Sequence, residues 1–150
     1  MPYDYKKHAM IDGKKYGPTA GGRYYQPADY HCKVKDNNKK GRKAKNKQKK
    51  EKTHWIRTKS EQYDVFLEGE NNEFIDAYGI FSLLDDCNEI MGDNEERLAF
   101  FPTPPTGTID WHGYPIPSTE EKLTDEMIDK FHEKQKIETA NYSRLLRREL

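Results

Sequence analysis

Eleven Lys and Arg residues against two acids occupy positions 33–52, and the chemistry open to such a run is attraction to phosphate. Lys33, Lys35, Lys39, Lys40, Arg42, Lys43, Lys45, Lys47, Lys49, Lys50 and Lys52 recur closely enough to track a nucleic-acid backbone, with Arg57 just beyond. Each lysine–phosphate contact releases condensed counterions, so binding of this kind is steep in salt and nearly blind to base sequence. Lysine outnumbers arginine in the run, which suits diffuse attraction better than bidentate reading of base edges. Tyr24, Tyr25, Trp55, Trp111 and Tyr114 are candidates for stacking on unpaired bases or for contact with a partner. Two competing accounts need no nucleic acid. The rings can instead cover a small core, and the basic run can lie on an acidic protein surface, including this chain's own.

A second chemistry is open to the histidines. His54 and His112 both stand beside tryptophans, and an imidazole pair can act as acid and base in RNA cleavage without a metal. That alternative makes the chain a small metal-independent RNase or toxin-like effector. The loop Trp111-His112-Gly113-Tyr114-Pro115-Ile116-Pro117 is stiffened by two prolines, so it can hold His112 or act as a core anchor. His31, Cys32 and Cys87 have no metal-ligand spacing, and the acidic clusters match no EF-hand register, so neither a metal nor a cofactor is expected. Phosphate-binding loops, GxSxG, HExxH and dinucleotide fingerprints are absent from the sequence.

These residues must be positioned by a modest core. Apolar residues make up 33% of the chain, against roughly 45–50% in typical domains. Residues 1–60 hold 18 basic and 5 acidic side chains, and residues 61–150 hold 8 and 21, so a neutral chain has two oppositely charged parts. The expected organisation is a Tyr/Gly- and Lys-rich arm over 1–52, partly disordered, followed by a small acidic α+β domain over 53–150. Within that domain the patterning predicts strands at 53–58 and 63–68, a long helix over 73–91 stopped by Gly92, and a strand at 97–101. An irregular proline-rich crossing follows at 102–117. A helical pair capped by Thr124 and Thr139 closes the domain. Arg23-Tyr24-Tyr25 is the best strand candidate in the arm. The first residues lack the apolar core of a secretory leader, and no apolar run approaches ~18 residues. The expectation is therefore a cytoplasmic, non-enzymatic accessory protein without membrane contact. Its basic arm engages RNA, DNA or a nucleoprotein complex, while its acidic domain docks a protein partner.

Overall fold

The computed structural model describes residues 3–27 and 53–150. Its elements in chain order are β1 (Tyr24–Tyr25), α1 (Lys59–Asn71), β2 (Gly79–Ser82), β3 (Leu98–Pro102), β4 (Asp110–Trp111), β5 (Tyr114–Ile116), α2 (Asp125–Glu133) and α3 (Thr139–Leu146). A one-turn 3₁₀ helix at Asp85–Cys87 follows β2. The architecture is α+β: an antiparallel sheet in the order β2-β3-β5, with a separate parallel pair β1-β4.

Strand β3 is the centre of the molecule, and its alternation divides the core in two. Leu98 and Phe100 point to one face, with Phe81, Leu83 and Ile116, and pack against Met127, Ile128 and Phe131 of α2 and Leu145 of α3. Ala99 and Phe101 point to the other, with Ile80 and Leu84, and meet Val65 and Phe66 of α1 together with Tyr16, Tyr25 and Trp55. A sheet covered on both faces needs apolar residues at successive positions, and all four residues of β2 are buried. That requirement explains why 73–91 read as a helix. Its apolar stripe is a buried strand flanked by turns, with Glu73 and Asp85 at positive φ. Gly79 lets β2 approach β3 closely: a Cβ there would stand 2.2 Å from the Phe101 carbonyl oxygen.

The strand expected at 63–68 is part of helix α1. Its start is a capping box, Thr58 Oγ1 accepting from the Glu61 N–H at 3.1 Å while the Thr58 N–H donates to Glu61 Oε1 at 3.0 Å. Segment 53–58 forms no strand either; Trp55 makes a single bridge to Gly92. Three polar residues of α1 are buried, Gln62, Asp64 and Glu70, and this erased the amphipathic signal.

Their partners come from the N-terminal segment. Tyr25 Oη donates to Gln62 Oε1 at 2.7 Å, and the Lys6 N–H donates to Asp64 Oδ2 at 2.5 Å. His8 Nε2 lies 2.6 Å from Asp64 Oδ1. Thr19 Oγ1 and Arg23 Nη1 donate to Glu70 Oε2 at 2.6 and 2.7 Å. The described part of the expected arm, residues 3–27, therefore packs into the same core as residues 53–150. Replacing Glu70 by Ala is expected to cost about 1.5–3 kcal/mol, because the buried Thr19 and the partly buried Arg23 lose a charged acceptor. Urea unfolding checks this; a midpoint unchanged from the parent would contradict it.

The strand expected at 97–101 is observed one residue on, extended through Pro102. The proline-rich crossing carries the short strands β4 and β5. Helix α2 is capped by Thr124 Oγ1, which accepts from the Met127 N–H at 3.1 Å. Thr139 is the first residue of α3 instead of its cap; the cap is Glu138, whose N–H donates to Asp86 Oδ1 at 2.8 Å. Among the described residues no helix is long and apolar enough to cross a membrane.

Candidate nucleic-acid interface

Residues 28–52, the basic run among them, lie outside the described residues, but the chain is described up to Pro27 and again from Thr53. On one side, the Gln26 N–H donates to the Trp111 carbonyl at 2.9 Å, and His112 Nδ1 is 2.7 Å from the Gln26 carbonyl. On the other, Thr53 Oγ1 donates to the Pro115 carbonyl, and Trp55 Nε1 donates to the Gly113 carbonyl at 3.0 Å. The chain thus leaves for the basic run and returns from it at one pentapeptide, Trp111–Pro115. The proline-stiffened loop is a clamp.

The clamp is rigid because it rests on the core. Trp55 is 2% exposed, its indole against Phe101. Gly113 lies on the Phe101 ring so closely that an added Cβ would meet Cδ2 at 2.1 Å, so only glycine fits. Strand β1 runs parallel to β4, Tyr24 opposite Asp110 and Tyr25 opposite Trp111. This pairing brings Lys15 and Arg23 beside the clamp. Lys15 Nζ lies 3.2 Å from Asp110 and 4.9 Å from the centre of the Tyr24 ring. The Arg23 guanidinium lies 5.6 Å from the Trp111 ring, which meets Phe66 at 5.8 Å.

The stacking candidates separate by burial. Tyr25 and Trp55 are inside the core, at 0% and 2% exposure, so the expectation that they stack on a ligand is corrected. Tyr114 is half-buried with its edge against Phe100. Tyr24 and Trp111 are half-buried at the clamp itself. Arg57, expected at phosphate, is held by Glu89 at 3.5 Å and Glu61 at 3.7 Å, and its guanidinium lies over Tyr5.

The two histidines of the cleavage alternative are held apart in role. His112 is exposed, and because a carbonyl can only accept, its Nδ1 carries the proton toward Gln26. His54 Nδ1 lies 3.5 Å from Asp93 Oδ2. No hydrogen bond or ring contact among the described residues joins the two imidazoles, and no three His, Cys, Asp or Glu side chains gather there as a metal set. His31 and Cys32 lie outside those residues.

Burial pushes the Cys87 thiol up to about 12, with the Asp86 carboxylate adding to the shift. The unfolded chain then loses this proton first. The buried thiol's contribution to stability is whole below pH 9 and declines as pH rises toward 12. With Cys32 replaced by Ser, the native protein is expected to leave a thiol reagent unreacted at pH 8 and to react once unfolded in urea; rapid native reaction would contradict the burial.

Sequence reading missed the clamp because nothing in Gln26, Thr53 or Trp55 encodes a partner 58 to 86 residues away. The one local clue was the density of unusual residues at 111–117. No protein-family model matches the chain, nor does any curated protein or solved structure, so the residues around Trp111–Pro115 are where a functional reading has to start.

Proposed function

We propose that the protein binds nucleic acid, free or within a nucleoprotein complex, through the basic run displayed from the Trp111–Pro115 clamp. The observation that carries this reading is the return of the chain to one pentapeptide on both sides of that run. Eleven cations are thereby offered from a fixed base, with Lys15, Arg23, Tyr24 and Trp111 alongside it. A fixed base lowers the ordering cost of binding relative to a free tail. Lys15 and Arg23 add charge at the rim, and Tyr24 adds a half-exposed ring for a base. The remaining surface, drawn from a part of the chain with 21 acids against 8 basic residues, suits a protein partner and repels polyanions from other approaches. The test is binding of single-stranded RNA and of duplex DNA to the full chain across a salt series. Affinity is expected to fall steeply with salt for either ligand and to vary little with base sequence. Salt-independent affinity, or none at low salt, would overturn the reading.

A further inference from the structure

A second site lies away from the clamp, where the turn after β2, the turn before β3 and helix α3 enclose a cleft of about 540 Å³. Six arginines are described. Four have a carboxylate at ion-pair distance: Arg23 with Glu70 at 2.7 Å, Arg57 with Glu89 at 3.5 Å, Arg147 with Glu149 at 3.0 Å and Arg148 with Asp125 at 3.0 Å. Arg97 and Arg144 have none among the described residues, and these two line the same cleft. Arg97 uses one Nη1 hydrogen on the Cys87 carbonyl at 2.8 Å, and Arg144 Nη1 lies 3.5 Å from Asn141 Oδ1. A guanidinium has five donors, so both keep most of theirs.

Apart from Cys87 and Leu150, the rest of the lining is polar. Asn88, Asn94 and Asn141 contribute carboxamides, Glu95 contributes a carboxylate, and Leu150 completes the wall. Cys87 and Glu95 hold left-handed backbone, at φ 65° and 64°. That conformation costs an L residue roughly 1–3 kcal/mol and tends to gather at ligand clamps. A smaller hollow of about 160 Å³ continues from it past Asn94, Glu95 and Arg97.

We propose that this cleft binds a phosphomonoester of nucleotide size, its phosphate held by the Arg97 and Arg144 forks. Two guanidinium forks outside any ion pair among the described residues match a group carrying about two negative charges at neutral pH better than a singly charged carboxylate. Glu95 and the asparagines accept from and donate to the hydroxyls or amines of the remainder. The volume lies within the ~300–1,000 Å³ usual for small-ligand sites. Burial pushes the Cys87 thiol in its wall up to about 12, so a ligand meets it as a neutral group at pH 7. The site is distinct from the clamp, and its ligand does not depend on the nucleic-acid reading.

Calorimetric titration of the full chain with adenosine 5′-monophosphate tests this, with adenosine and inorganic phosphate as controls. The monophosphate is expected to bind at least tenfold tighter than adenosine. Arg144→Ala, at an exposed position that no ion pair supports, is expected to weaken it at least tenfold without lowering the unfolding midpoint. Arg97→Lys keeps the charge while losing the fork, and should also weaken it. A 5′-phosphorylated oligonucleotide that competes for the cleft where its 5′-hydroxyl form does not would identify a strand end as the source; competition by free nucleotide alone would identify a small metabolite. Equal affinity for adenosine overturns the proposal. So does phosphate binding that survives Arg144→Ala and disappears only when residues 33–52 are removed.

Discussion

Excising residues 33–52 and closing the gap with a six-residue Gly/Ser linker is expected to abolish retention on RNA and DNA while leaving the fold intact. The geometry of the clamp makes this a clean experiment. Gln26 and Thr53 are both bonded within Trp111–Pro115, so the two ends stand no farther apart than that short stretch allows. Five residues span at most about 18 Å, whereas residues 28–32 with the linker reach roughly 35 Å, so no strain is imposed on the core. The loss in binding should be large, since a protein making 6–10 phosphate contacts loses about 10³–10⁵ in affinity between 50 and 200 mM salt. The salt slope should flatten to what Lys15 and Arg23 supply, and both are already partly neutralised by Asp110 and Glu70. Filter binding at several salt concentrations reads the slope, and the thermal midpoint reads the fold. Unchanged retention at low salt would move the binding surface off the basic run altogether.

Phe101→Ala is expected to be the most damaging single substitution in the core, at about 3–5 kcal/mol. Its ring meets Phe66 at 5.0 Å, Tyr25 at 5.6 Å and Trp55 at 6.1 Å, and the backbone of Gly113 lies on its edge. Truncation therefore opens a void where α1, the N-terminal segment, the return from the basic run and the clamp all meet. Against a total stability of roughly 5–15 kcal/mol, such a loss leaves many molecules unfolded near body temperature. Equilibrium urea unfolding measures it, and a change below about 1 kcal/mol would mean that this junction is far looser than its packing. Gly113→Ala acts on the same ring from the other side, because its Cβ would overlap Phe101 unless the clamp moved.

Several elements were legible in the residues themselves. Leu98-Ala99-Phe100-Phe101 is a continuous apolar run, and a strand buried on both faces has to be one. Thr124, Asp125 and Glu126 ahead of Met127, Ile128 and Phe131 spelled out α2 and its cap. Thr58-Lys59-Ser60-Glu61 spelled out the start of α1 equally well, yet the alternation of Tyr63, Val65 and Leu67 pulled toward a strand. That alternation misled because Gln62, Asp64 and Glu70 are inside, bonded to a segment that periodicity assigned to no core. The stretch around β2 misled for the opposite reason. Apolar residues at successive positions serve a buried strand and a helix alike, and only a sheet covered on both sides distinguishes them.

By itself the sequence determined an α+β composition, the segregation of charge, and a basic run with too little apolar content to contribute to a core. Local chemistry suffices for those, since propensity, capping and charge repulsion act between near neighbours. Tertiary structure alone decided that residues 3–27 complete the core and that Gln26 and Thr53, before and after the run, bond to one pentapeptide. It also brought Arg97 and Arg144, which have no ion pair among the described residues, to a common cleft. Each of these rests on a pairing between distant residues, buried polar groups finding partners or failing to, and such pairings exist only once the chain has closed.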